Sequence, residues 1–189
     1  MTPRPLRDRH GTKASSTQER LRLAPELVPK PLWRVSAYTL LQGSAAWKRI
    51  REAALREAGH RCVVCGAAGP PAGFTDPRLY CHEVWSYDDH TGVATLEGFR
   101  MLCCGCNAVV HLGRTSAAGQ REQALAHLSR VNGISRAMAE SIADRAMRVW
   151  QKRSGQDWKV TVSEHMRATY PELDKLEGRI APASKAGQA

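Results

Sequence analysis

The sequence predicts an α+β fold. Two observations carry that expectation: helical periodicity lies before and after a stretch that reads as two strands, and two Cys-x-x-Cys pairs, Cys62-Val-Val-Cys65 and Cys103-Cys-Gly-Cys106, bracket that stretch. With 189 residues the chain has room for one compact domain with appendages rather than two full domains.

From Met1 to Pro31, five prolines (Pro3, Pro5, Pro25, Pro29, Pro31) alternate with Arg4, Arg7, Arg9, Lys13, Arg20, Arg22 and Lys30. Too little apolar surface is available there to offset the entropy of ordering, so a disordered basic arm is expected over 1–31. Its cations either touch phosphates or simply keep the chain solvated. Ser44 is placed to cap a helix whose apolar positions Trp47, Ile50, Ala54, Leu55 and Ala58 recur at helical spacing, with Gly59 as its left-handed stop. Leu79 to Trp85 reads as a strand and Val93 to Leu102 as a second, with Gly92 near the turn.

Cys104 to Leu112 reads as a short helix closed by Gly113. Two further helices are expected, at Gln120–Arg130 and, capped by Ser135, at Arg136–Lys152. In the second, Met138, Ile142, Ala146, Val149 and Trp150 form one apolar stripe suited to core packing. The turn between them, Val131-Asn-Gly-Ile-Ser135, reads as a plain interhelical turn, although it is also similar to a helix-hairpin-helix element. Trp158, Val160 and Val162 alternate with Lys159 and Thr161 as in an edge strand. Ser163 then caps a last helix before Pro171, and the small, polar tail from Arg179 is expected to fray.

Lysine and arginine outnumber aspartate and glutamate 28 to 18, a formal charge of +10 that attracts polyanions, of which a nucleic-acid backbone is the commonest. No run of about 18 apolar residues is available to span a bilayer, and Met1 to Lys13 lacks the apolar stretch of a secretory signal. These features point to a cytoplasmic protein with no membrane partner. In a reducing cytosol six cysteines are better explained by metal than by disulfides.

Four thiolates from Cys62, Cys65, Cys103 and Cys106 suit a tetrahedral structural zinc site. Either pair alone has the spacing of a redox motif; both together argue for metal. Gly66 and Gly105 give the two turns freedom, and Cys104 is a competing ligand that the x-x spacing disfavours. A zinc ion with four protein ligands has no open position, so it holds the fold and performs no chemistry.

Between the two pairs lie Leu79-Tyr-Cys-His-Glu-Val-Trp85, a loop with Asp88, Asp89 and His90, and the helix that carries Asn107 and His111 four residues apart on one face. Strand, hairpin, strand and helix with Cys-x-x-Cys staples at the base resemble the ββα-metal core of the HNH endonucleases, from Cys62 to His111. The resemblance implies a metal-dependent phosphodiester hydrolase acting on nucleic acid, with DNA favoured over RNA. It implies a histidine base on the first strand and ligands for a catalytic divalent cation (Mg2+, Mn2+ or Ni2+) on the helix.

Two registers are open: His82 as base with Cys81 before it, or His82 as ligand with Glu83 in the base position. His111 and Asn107 are the helix ligands in both. The sequence departs from the family at Gly98, where the asparagine is expected, and at Asn107, where a histidine usually follows the knuckle cysteine. Arg100, Arg114 and Arg121 flank the presumed centre, and Lys48, Arg49, Arg51 and Arg56 decorate the preceding helix as candidate phosphate contacts.

The chain therefore divides into the arm at 1–31, an HNH-like domain at 32–115, a helical extension with a short strand at 116–178, and a tail at 179–189. Double-strand cutting from one centre per chain calls for a homodimer or two binding events. The rival expectations are a catalytically degraded zinc module that binds nucleic acid or a protein partner, and a subunit of a larger assembly.

Overall fold

The structure is a computed structural model and describes residues 21–183; Met1 to Arg20 and the last residues of the tail lie outside it. It is an α+β fold built on a four-stranded sheet in the order β1-β2-β3-β4. A 3-10 turn at Lys30–Arg34 leads to α1 (Ala37–Leu41) and α2 (Ala45–Glu57). Ser44 caps α2 by accepting from the Trp47 N–H at 3.2 Å, and Gly59, at φ +57°, ends the turn beyond it. Ala46, Ile50 and Ala54 are its buried positions.

The hairpin is longer than expected. β1 (Leu79–Asp88) and β2 (Val93–Cys103) pair antiparallel, with a bulge between Val84 and Trp85. Asp88 shapes the turn by accepting from the His90 and Thr91 amides, so it is the turn former that its type suggests. α3 (Cys104–Val110) follows β2 without a linker.

Gly113 does not stop this helix. The break falls at His111 (φ −98°, ψ 37°), and α4 (Leu112–Ala117) runs through Gly113, where a Cβ would stand 3.8 Å from Leu27 Cδ2. α5 (Arg121–Asn132) and α6 (Arg136–Ser154) form a hairpin through Gly133 at φ +65°, with Ser135 accepting from the Met138 amide. In this turn Asn132 grips the amino-terminal segment: its Oδ1 accepts from the Arg22 and Leu23 amides and its Nδ2 donates to the Leu23 carbonyl.

The apolar stripe of α6 is not its main buried face. Ala139 and Ala143 carry the burial, because small side chains let α5 approach closely, and Met138 and Val149 remain 43% and 40% exposed. Trp158, Val160 and Val162 form β3 (Trp158–Val162), which is not an edge strand. It pairs parallel to β2 on one side and antiparallel to β4 (Ile180–Ala181) on the other. Its alternation reflects one dry and one wet face, since Trp158 and Val160 are fully buried while Lys159 is exposed. Between β3 and β4 lie α7 (Glu164–Thr169), whose cap Ser163 makes no side-chain bond, and a 3-10 turn at Pro171–Leu176. The tail is thus paired through Ala181 rather than frayed from Arg179.

Two apolar cores result. Leu102 and Cys103 at the end of β2 join Cys62, Cys106, Val109, Leu125, Leu128, Ala139 and Ala143 in one. Ala94 and Leu96 at its start join Leu32, Ile50, Trp158, Val160, Leu173 and Leu176 in the other. No helix among the described residues is long and apolar enough to cross a membrane.

The segment 21–31 also departs from expectation. Leu23 is 2% exposed within the first core, and the Glu26 amide donates to the Val110 carbonyl at 2.9 Å. Two or three leucines suffice to order a segment when a long-range acceptor such as Asn132 takes up its amides, a combination that local composition does not reveal. Leu23→Ala is predicted to cost about 2–4 kcal/mol of unfolding free energy; urea denaturation of the variant against the parent chain measures it, and a cost near zero would detach this segment from the fold.

Candidate metal centre and adjoining cavity

The four predicted cysteines converge. Their Sγ atoms all lie within 4.8 Å of one another, and those of Cys65 and Cys103 are 3.6 Å apart. A sulfur tetrahedron around zinc, with bonds of about 2.3 Å, has an edge of roughly 3.8 Å, so the donor set and its size fit that ion. Cys104 lies outside the cluster.

The backbone shapes both knuckles. The Gly66 amide donates to the Cys62 carbonyl, the Cys62 amide to Ala67, and the Val63 amide to Met101 on β2; the Cys106 amide donates to Cys103 Sγ at 3.5 Å. Gly66 needs its positive φ of 76°. Gly105 needs its missing side chain, because a Cβ there would stand 2.6 Å from Pro71 Cγ and 3.0 Å from the His127 ring.

Four thiols this close compete for charge. Contacts with Cys103 and Cys106 draw the Cys62 thiol far down, whereas contacts with Cys103 and Cys62 push Cys106 far up. A divalent cation ends that competition by stabilising all four thiolates at once. The cluster therefore fits a structural zinc site.

One neighbour of this centre comes from a distant helix: His127 of α5 is 3% exposed and places Nε2 3.2 Å from Cys106 Sγ. Burial holds its ring in the neutral form, in which an Nε2–H can donate to a thiolate. Arg22, Arg61 and Arg130 donate to the Val64, Gly66 and Ala72 carbonyls around the centre, which suits the net negative charge of a four-thiolate zinc.

Beside the staple, α3 turns its other side to β1. His82, Asn107, His111 and Arg114 line one cavity of about 1100 Å³, with Arg51 and the aromatic rings of Tyr38 and Trp47 on its wall. His82 and Asn107 are buried, and the His82 and His111 rings meet edge-on with centroids 4.9 Å apart. Burial, helped by His82 and Arg114, pulls His111 down to about 3, so its imidazole is neutral at physiological pH and carries a free lone pair.

Other predicted residues are held by partners, Glu83 on the wall of the same cavity and the rest outside it. Glu83 accepts from the Tyr38 amide at 2.8 Å and from Trp85 Nε1 at 3.0 Å, so it fastens β1 to α1; burial raises its pKa despite those bonds. Arg100 sits across the sheet from His82, and its guanidinium is bound 2.5 Å from Glu26 Oε1. Lys48 pairs with Glu52, Arg49 with Glu172, and Arg121 with Glu140; Asp89 is held by Arg153. Among the expected phosphate contacts, Arg114 and Arg51 line the cavity with the two histidines.

Glu26 is the residue that sequence reasoning missed. Its Oε2 lies 3.3 Å from His82 Nε2 while Oε1 takes Arg100, and although burial pushes its pKa up, these two partners outweigh burial and lower it. In the sequence it is merely one acid within a basic arm, with no local signal of a partner 56 residues away.

Compared with known protein families, with curated proteins and with solved structures, the chain has no match.

Elemental analysis is predicted to find one zinc per chain, lost in Cys62→Ser, with a marked fall in melting temperature on strong chelation; retention of fold and melting temperature without metal would refute the staple. A second expectation concerns acid. Folded Glu26 binds its proton less tightly than the unfolded chain does, so its stabilisation is complete above the ordinary carboxylate pKa and disappears as pH falls through the lowered one. The melting-temperature gap between the parent chain and Glu26→Gln should therefore shrink from pH 7 to pH 3.

Proposed function

We propose that the protein is a metal-dependent endonuclease with an HNH-type ββα centre, hydrolysing phosphodiester bonds of nucleic acid, with DNA favoured over RNA. The observation that supports this most is the meeting of His82 from β1 with Asn107 and His111 from α3 on the wall of one cavity, in a strand-strand-helix unit clamped by four cysteines. That is the order and the role distribution to which the sequence is similar.

His82 takes the proton of a water molecule, whose oxygen forms a bond to phosphorus as the bond to the 3′ oxygen breaks in line. Arg114 offers its guanidinium to a phosphate oxygen within the same cavity. The Asn107 amide oxygen and a neutral His111 nitrogen are the protein donors for a divalent ion, which when bound stabilises charge on the leaving oxygen. Because two donors leave most of the coordination to phosphate and water oxygens, magnesium or manganese suits the site best, and the imidazole also admits nickel.

Double-strand cutting would again require a homodimer or a larger assembly, and a cytoplasmic setting belongs to the same proposal.

One observation favours the alternative of a degraded module that binds nucleic acid or a protein partner without cutting it. Gly98 stands where the family has an asparagine, and it pairs with Val84 at the bulge of β1 with no side chain to offer.

The test is cleavage of plasmid DNA, single-stranded DNA and RNA with magnesium, manganese, nickel or EDTA, using His82→Ala and His111→Ala at matched zinc content. Both substitutions are expected to lower the metal-dependent rate by at least about 10²-fold. Binding that persists without cutting under any of these metals would replace the nuclease by the binding module.

A further inference from the structure

A histidine works as a base when one ring nitrogen is free and the other is fixed by an acceptor that selects the tautomer and then stabilises the imidazolium. Nothing in the strand-strand-helix unit supplies that acceptor to His82. The acceptor comes from outside it, from the amino-terminal segment.

Resting on the nuclease reading, we infer that Glu26 is the positioning residue for His82: its carboxylate receives the Nε2–H and leaves Nδ1 as the nitrogen that takes the proton from water. Oε2 stands 3.3 Å from Nε2, a separation typical of a catalytic pair before substrate binds. The His82 side chain is 6% exposed, so few other acceptors can reach it. Oε1 is occupied by Arg100, the cross-strand neighbour of His82, which keeps the carboxylate ionised and turned toward the ring.

The placement is built rather than incidental. The Glu26 amide donates to the Val110 carbonyl beside His111, Leu23 is buried three residues earlier, and the Asn132 side chain holds the backbone of Arg22 and Leu23 at both amides and one carbonyl. The Glu26 side chain is itself 41% exposed, so it is these backbone anchors that fix where its carboxylate stands.

In the reaction the water proton moves to Nδ1 as the oxygen attacks phosphorus and the 3′ oxygen leaves, taking a proton from solvent to become the 3′ hydroxyl. The resulting imidazolium faces the Glu26 carboxylate through Nε2–H, and after the cut the Nδ1 proton passes to solvent. Glu26 touches neither substrate nor metal and acts only through His82.

The full-length, zinc-loaded chain is the material for the test. Proton–nitrogen correlation spectra of histidine-labelled protein at neutral pH should show His82 as the Nε2–H tautomer, and Glu26→Gln should convert it to a mixture. In the plasmid assay with manganese, Glu26→Gln should lower kcat by at least about 10²-fold with KM and zinc content unchanged, and Glu26→Asp should recover part of the loss.

If Glu26→Gln melts early or loses zinc, Glu26→Asp carries the comparison, with an intermediate tautomer mixture and rate expected. An active parent chain whose Glu26→Gln variant cuts as fast or faster, with the His82 tautomer unchanged, overturns this inference while leaving the nuclease standing; faster cutting would mean that Glu26 covers His82 instead of orienting it. A parent chain that cuts under no metal overturns both, whatever the spectra show.

Discussion

Four cysteine sulfurs gathered within 4.8 Å of one another fit a cation among them, and much of this molecule is arranged around that cluster. Cys62 and Cys65 arrive on a loop after α2, Cys103 ends β2, and Cys106 lies in the first turn of α3. Drawing them together fixes the direction in which α3 leaves the sheet. That direction brings Asn107 and His111 opposite His82. It also brings His127 of α5 against Cys106, so that the helical extension and the staple share one core.

The same unit has a dry side and a wet side, and the division explains which polar groups can do chemistry. Toward the zinc, Gly105 leaves no room even for a methyl group, and the thiolates take their hydrogen bonds from backbone amides and one neutral imidazole. Toward the cavity, the two histidines are buried enough to be held yet lie beside space large enough for a substrate phosphate. The cysteine cluster and the cavity thus lie on opposite sides of a helix only seven residues long.

The amino-terminal segment gives the fold a third support. It carries apolar anchors, a carboxylate and several cations in one short stretch, and the hairpin turn at Asn132 converts these into fixed contacts. Several charges that look surplus in the sequence have partners: Arg22 and Arg130 at carbonyls near the cysteine cluster, Arg100 at Glu26, Arg49 at Glu172, Arg121 at Glu140. Arg114 and Arg51 carry positive charge to the wall of the cavity.

What the sequence by itself determined was whatever local rules govern: the Cys-x-x-Cys pairs, whose spacing fixes a knuckle; the Ser44 and Ser135 caps; the hairpin around Asp88; and the four-residue step that puts Asn107 and His111 on one helix face. Tertiary structure decided the rest, because it turned on partners far apart in the chain. β3 became an inner strand only when Ile180–Ala181 returned to pair with it, α6 buried its alanines only because α5 came close, and Gly113 continued a helix that its residue type would end. Glu83 was drawn to Tyr38, and Glu26 to His82 and Arg100, by contacts spanning dozens of residues. A carboxylate carries the same letter whether it waits in solvent or holds an imidazole, and only the fold distinguishes the two.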